Sequence, residues 1–108
     1  MPLFMSQFSY TSEAWAALVR KPEDRAEVLR GLAQKMGVKL HSLHYCFGDY
    51  DGVVIMEAPD ETTVLATLLA TISPGHVKAI KTTTLFTVEQ AMTAMRKAAT
   101  ASYRAPSG

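Results

Sequence analysis

Apolar and polar positions follow two different periods along this chain, and the changes of period divide it into strands and helices. Runs rich in β-branched and aromatic residues, bounded by turn residues, predict four strands. The predicted strands cover residues 3–10, 38–47, 51–58 and 77–86. Between and after them, apolar residues recur every three or four positions, which is typical of helices with one buried face.

Local signals predict where the first two helices begin and end. The side chain of Thr11 or Ser12 can accept from free backbone N–H groups, so a helix is expected to start there. Pro22 is expected to restart the helix, because its missing N–H costs nothing in a first turn. Gly37 suits the left-handed position that ends it.

The later helices carry similar signals. Asp60 is expected to cap a helix that runs to about residue 73, where a Ser-Pro-Gly sequence breaks it. Thr87 and Gln90 have the spacing of a capping box and open a final helix over residues 87–101.

The resulting order is β-α-β-β-α-β followed by a helix, which is the split βαβ or ferredoxin-like plan. The predicted fold class is therefore α+β, with a four-stranded antiparallel sheet in the order 4-1-3-2 and the crossover helices on one face. We expect one domain over residues 1–102, which includes the C-terminal helix, and a polar tail over 103–108.

The central strands of this sheet are apolar on both faces. On the third strand, Val53 and Ile55 point to one side, while Val54 and Met56 point to the other. The crossover helices can cover only one face, and a bare apolar face would be a large exposed patch. We therefore expect the second face to meet the C-terminal helix, a second subunit or both, and predict a homo-oligomer assembled through the sheet.

Composition and charge narrow the classes of function. The chain has 108 residues and a formal net charge of +1, with scattered basic residues, so neither nucleic acid nor a membrane is an expected partner. No signal peptide is expected at the N-terminus. Cys46 is the only cysteine, and this agrees with a reducing, cytoplasmic location.

One segment, CFGDYDGVVIMEAPD, also carries a resemblance to a known family. Its Gly48, Tyr50 and Asp51 match the letters of the GYD domain signature, and similar stretches extend along most of the chain. These are residues 9–11, 22–25, 57–60 and 83–87. The resemblance implies a ferredoxin-like domain that assembles sheet to sheet as a dimeric α/β barrel. It implies little about activity.

The same segment supplies the candidate chemistry. If Gly48 and Asp49 form a two-residue turn, then Tyr45 pairs with Gly52, and His44 and Asp51 share a face. His44 would act as a general base oriented by Asp51. The alternative is that Asp51 caps the turn and His44 is an ordinary strand residue.

Three further side chains are candidate ligand-binding groups, and each has a simpler role as an alternative. Tyr45 and Tyr50 would position a ligand with their hydroxyls, or merely pack at the end of the hairpin. Glu57 would act as an acid or base if it faced a closed cavity. Alternatively, it pairs with Lys39 or Lys81.

Metal and cofactor chemistry are not expected. His41 and His44 are three positions apart on one strand and should point to opposite faces, and no set of ligands has the usual spacing. Cys46 is expected to be a buried, inert thiol. We therefore favour an oligomeric module that binds a small apolar or aromatic ligand. A cofactor-independent enzyme using His44 and Asp51, and a purely structural assembly unit, are the alternatives.

Overall fold

The computed structural model describes residues 1–107 and contains eight elements. In chain order these are β1 (Leu3–Tyr10), α1 (Ser12–Arg20), α2 (Arg25–Met36), β2 (Lys39–Tyr45), β3 (Gly52–Glu57), α3 (Glu61–Ile72), β4 (Val77–Leu85) and α4 (Val88–Ala99). The predicted tail 103–108 follows α4, and its last residue, Gly108, lies outside the described residues.

The strands form one antiparallel sheet in the order β2-β3-β1-β4. This is the predicted order, 4-1-3-2, read from the opposite edge, and the α+β ferredoxin-like plan is confirmed. β1 and β3 are central because each pairs with two neighbours.

Capping residues set the ends of the helices as the sequence suggests. Thr11 Oγ1 accepts from the backbone N–H of Ala14 at 3.1 Å, and Asp60 Oδ1 accepts from that of Thr63 at 2.7 Å. Gly37 ends α2 with φ of 72°, in the left-handed region that favours glycine. Each cap satisfies backbone groups that the helix itself leaves unpaired.

One predicted helix start is wrong. Pro22 does not open α2, because the Asp24 side chain accepts from the backbone N–H of Glu27 at 3.1 Å and caps a later start. The capping box of α4 is confirmed, with Thr87 and Gln90 each bonded to the other's backbone N–H.

The hydrophobic core lies between the sheet and the helices α2 and α3, which pack against each other and on β2 and β4. We call this side of the sheet the covered face. It presents Phe4, Phe8, Val54 and Met56, which alternate with less buried neighbours on β1 and β3. Ala33, Val38, Ala58 and Val64 complete the buried cluster.

The other side of the sheet has an apolar centre with polar residues around it, among them Gln7, Glu57 and Lys81, and no helix of residues 1–107 packs on it. We call it the open face. Its centre consists of Leu3, Met5, Val53, Ile55 and Leu85, which remain partly exposed. Met5 pairs with Ile55, and Leu3 pairs with Leu85. The prediction of two apolar faces on the central strands is confirmed.

Helix α4 projects from the body of the protein. It contains no buried residue and makes no extended contact with any other element of residues 1–107. The molecule measures 59 × 35 × 22 Å, and its radius of gyration is 17.8 Å. A compact domain of this length would have a radius of about 13 Å. The chain therefore extends well beyond its own core.

Candidate functional site

The hairpin that joins β2 and β3 has the predicted register. Tyr45 pairs with Gly52 and His44 pairs with Val53. The predicted continuation of β2 to residue 47 is wrong, because regular pairing ends at Tyr45 and residues 46–51 form a longer connection.

Asp51 connects three parts of the fold. Its backbone N–H donates to Phe8 O at 2.8 Å, and its carbonyl accepts from Cys46 N at 2.8 Å. Its Oδ2 accepts from the backbone N–H of Tyr10 and from Trp15 Nε1, each at 3.0 Å. The carboxylate thus joins the start of β3 to the end of β1 and to α1.

His44 and Asp51 are not brought together as an acid–base pair. His44 is exposed and shares the open face with its partner Val53. Within residues 1–107 no hydrogen bond joins His44 to Asp51, whose Oδ2 is occupied by Tyr10 and Trp15. Proton transfer by this pair stays a prediction, and it would require the Asp51 carboxylate to leave those two donors.

Tyr45 lies at one end of the covered face, in an aromatic cluster. This cluster consists of Phe8, Tyr10, Trp15 and Tyr45. Ring centroids are separated by 5.2 Å for Tyr10–Trp15, 5.6 Å for Trp15–Tyr45 and 6.2 Å for Tyr10–Tyr45. Tilted and edge-to-face pairs at these distances stabilise beyond the area they bury. Sequence reasoning missed Tyr10 and Trp15 as neighbours of the hairpin.

Tyr10 has the most perturbed acidity in the cluster. Burial, followed by the interaction with the Tyr45 hydroxyl, raises the pKa of Tyr10 well above its usual range, while Arg25 opposes the shift. Tyr10 therefore remains a neutral hydrogen-bond donor at all physiological pH values.

Tyr50 and Cys46 lie together in the connection. Tyr50 is half-buried, and its carbonyl accepts from Cys46 Sγ at 3.3 Å. The predicted burial of Cys46 is wrong, since this thiol is exposed.

Glu57 lies at the other end of β3, about 20 Å from Asp51 given the rise per residue of a strand. Its Oε1 lies 2.8 Å from His41 Nε2, so its partner is a histidine rather than Lys39 or Lys81. The hydrogen bond with His41, with smaller contributions from the charges of His41 and Lys39, lowers the pKa of Glu57. The five candidate residues therefore occupy two ends of the hairpin and do not form one site.

The hydrogen bond between His41 and Glu57 is expected to make the stability of the fold depend on pH. A carboxyl group whose folded-state pKa is lowered stabilises the fold above its unfolded pKa, and that contribution is lost as the pH falls through the folded pKa. We expect wild-type protein to lose more stability than Glu57→Gln when the pH is lowered from neutrality to below about 4. Urea unfolding across this pH range measures the loss of stability. His41→Gln, which also lacks the pair, should behave like Glu57→Gln. Parallel pH profiles for wild type and Glu57→Gln would contradict the prediction.

A second candidate site lies elsewhere, between the covered face and the helices α2 and α3. It is a partly open cavity of about 230 Å³. Its walls are mainly apolar and include Leu29, Leu32, Leu43, Leu68, Val77 and Ile80. We call it the helix-side cavity. The sequence does not reveal it, because its walls come from six separate elements.

Two small polar residues, Ser6 and Thr67, form the inner part of this cavity, and both are 2% exposed. Ser6 Oγ lies 2.8 Å from Thr82 Oγ1, and Thr67 Oγ1 donates to Thr63 O at 2.8 Å. Both hydroxyls are therefore satisfied by the protein itself. In the sequence, the only indication that Ser6 and Thr67 line a cavity is that each is a small polar residue at a position that faces inward.

Arg25 and His76 also line the cavity, and both belong to its more exposed part. One Arg25 nitrogen forms an ion pair with Glu23 at 2.6 Å. Within residues 1–107 no cluster of three or more His, Cys, Asp or Glu side chains has the arrangement of a metal site. In the same part of the chain, no helix has the length and apolar character needed to cross a bilayer.

A four-stranded antiparallel sheet with helices packed on one face defines the ferredoxin-like class of α+β proteins. Solved structures with this fold are similar to the chain. MtbAldR matches with a TM-score of 0.54 and 15% identity over 80% of the chain, which spans about half (53%) of that protein. TTHA0845 from Thermus thermophilus matches with a TM-score of 0.53 and 13% identity over 82% of the chain and 96% of that structure.

The particular family is shown by the sequence match. The chain belongs to the GYD domain family, whose model matches residues 4–95. The glutamine synthetase and cystathionine beta-lyase binding protein of Thermus thermophilus is 35% identical over 78 residues, which cover 72% of this chain and 82% of that protein.

Proposed function

We propose that this protein is a self-associating binding module whose subunits meet through the open face of the sheet. The observation that carries the proposal is the apolar centre of that face, at Leu3, Met5, Val53, Ile55 and Leu85, on which no helix of residues 1–107 packs. Burial of apolar surface stabilises association by about 25 cal/mol per Å². A second copy of this chain offers an apolar face of the same size and shape.

Helix α4 supports a second copy as the occupant. Its apolar residues Val88, Met92 and Met95 lie on one side of the helix and are 77%, 44% and 65% exposed. Such a stripe normally packs against protein. Because α4 departs from the body directly after β4, it is placed to cover part of a neighbouring subunit rather than its own sheet.

Binding of other molecules by the assembled module completes the proposal. The similar protein from Thermus is named for binding two enzymes, which supports a protein partner for this chain as well. A small apolar or aromatic ligand is the second kind of partner that we propose. A cytoplasmic location is part of the proposal and is supported by the exposed, unpaired thiol of Cys46.

Self-association is tested by light scattering after size exclusion at micromolar concentration. We expect wild-type protein to elute as a dimer or larger assembly. Ile55→Glu should shift it toward monomer, because a charge at the centre of the open face would be buried without a partner. Leu69→Glu is the matched control, since Leu69 is 55% exposed on α3 and lies away from the open face. Monomeric wild-type protein, or an assembly that survives Ile55→Glu unchanged, would contradict the proposal.

A further inference from the structure

We propose that the helix-side cavity binds a small organic acid, with its apolar body between the covered face and the helices and its carboxylate at Arg25. This inference rests on the proposed binding function and specifies one site and one chemical class of ligand. The cavity and the open face lie on opposite sides of the sheet, so assembly does not close the cavity.

The volume of the cavity argues for a ligand. Protein interiors are packed as closely as organic crystals and contain few voids larger than a water molecule. A cavity of about 230 Å³ exceeds the roughly 150 Å³ of an engineered apolar cavity that holds benzene. A single aromatic ring with a short chain, or a short alkyl chain, therefore fits inside.

The inner part of the cavity selects an apolar body. Ser6 and Thr67 leave space because their side chains are small, yet their hydroxyls are already paired with Thr82 and with Thr63 O. No buried side-chain nitrogen or oxygen within residues 1–107 lacks a hydrogen-bond partner. A polar ligand group placed there would lose its hydration without gaining a bond, which is costly.

The outer part of the cavity selects a negative charge. Arg25 carries five N–H donors, and the structure pairs one of its nitrogens with Glu23. A guanidinium binds a carboxylate in a planar, two-bond geometry. Tyr10 also lines the cavity wall. No carboxylate is among the residues that line the cavity, so a cationic ligand would gain no ion pair there.

Binding is measured by the fluorescence of Trp15, the only tryptophan, whose ring centroid lies 5.2 Å from that of Tyr10. The probes are 4-phenylbutyrate, the matching alcohol 4-phenylbutanol and the matching amine. We expect saturable binding of the acid, weaker binding of the alcohol and the weakest binding of the amine. Arg25→Met should raise the Kd of the acid about tenfold, to the level of the alcohol. The Kd of the alcohol should stay unchanged. Arg30→Met is the matched control, because Arg30 is on the same helix but does not line the cavity.

A second variant tests the cavity itself. Thr67→Leu fills the inner space and should abolish binding of acid and alcohol alike, while circular dichroism confirms that the fold is retained. Absence of any saturable response to 4-phenylbutyrate at millimolar concentration, or binding that survives Thr67→Leu, would overturn the site. Sizing of the same samples separates the two proposals. Assembly without ligand binding contradicts only the cavity, whereas ligand binding by a monomer contradicts only the assembly.

Discussion

Replacement of Asp51 by alanine is expected to lower the free energy of unfolding by about 3 kcal/mol. The carboxylate accepts two partly buried hydrogen bonds, from Tyr10 N and from Trp15 Nε1. Alanine leaves both donors without a partner, and an unsatisfied buried donor costs about 1–3 kcal/mol. In a domain of this size, a loss of 3 kcal/mol corresponds to a decrease in Tm of about 12–24 °C.

Urea unfolding followed by far-UV circular dichroism measures this loss without relying on the fluorescence of Trp15. Asp51→Asn keeps a carbonyl oxygen as an acceptor, so we expect a smaller loss of about 1 kcal/mol. Asp49→Ala is the control, because Asp49 is exposed in the same connection and should leave stability unchanged within about 0.5 kcal/mol. An unfolding free energy for Asp51→Ala as high as that of Asp49→Ala would show that the two hydrogen bonds contribute little.

The two substitutions also separate the hydrogen-bond acceptor of Asp51 from its negative charge. An amide oxygen can accept a hydrogen bond as a carboxylate does, but it carries no charge. A small loss of stability for Asp51→Asn beside a large loss for Asp51→Ala therefore supports the role in which the Asp51 acceptor links β1, α1 and β3.

Replacement of Gly52 by alanine is the second change with a large expected effect. A Cβ built at Gly52 would overlap the ring of Phe8, with Cε1 at 2.7 Å, Cε2 at 2.9 Å and Cζ closer still. Phe8 is 6% exposed and packs in the core, so displacement of its ring would disturb the neighbouring core side chains. We expect Gly52→Ala to lower the free energy of unfolding by about 2–3 kcal/mol, as overpacking of a core usually does.

A second glycine provides an informative control for this substitution. Gly31 lies within α2, and a Cβ there would have no neighbour within 4 Å. Gly31→Ala should therefore stabilise the protein by about 0.5–1 kcal/mol, because alanine loses less backbone freedom in a helix. Both variants are compared by urea unfolding at one protein concentration, since self-association would shift apparent stability. If Gly52→Ala were as stable as wild type, the close approach of Phe8 would be refuted.

Gly52 shows how much of the hairpin can be predicted from the sequence. A turn centred on Gly48 and Asp49 predicted that Tyr45 would pair with Gly52, and the structure confirms that pairing. The reason for a glycine at that position is the Phe8 ring, which comes from a strand more than forty positions earlier in the sequence. No local pattern in residues 46–52 contains that information.

The candidate site likewise contains residues that the sequence identified and partners that only the fold supplies. The sequence pattern selected Asp51 as a candidate residue, but it suggested His44 as its partner. The structure instead gives Asp51 the donors Tyr10 N and Trp15 Nε1, which are 41 and 36 positions away. Glu57 was likewise a sound candidate for pairing, and its partner is His41 rather than a lysine.

The sequence by itself determined the elements, their order and most of their ends. Strand alternation, helical periodicity and side chains such as Thr11, Asp60 and Thr87 act over a few residues, so they can be read without the fold. Only the tertiary structure decided what Asp51 holds, where the helix-side cavity lies and that α4 leaves its own sheet uncovered. These features depend on contacts between residues far apart in the chain, and such contacts exist only once the sheet has paired and the helices have packed on it.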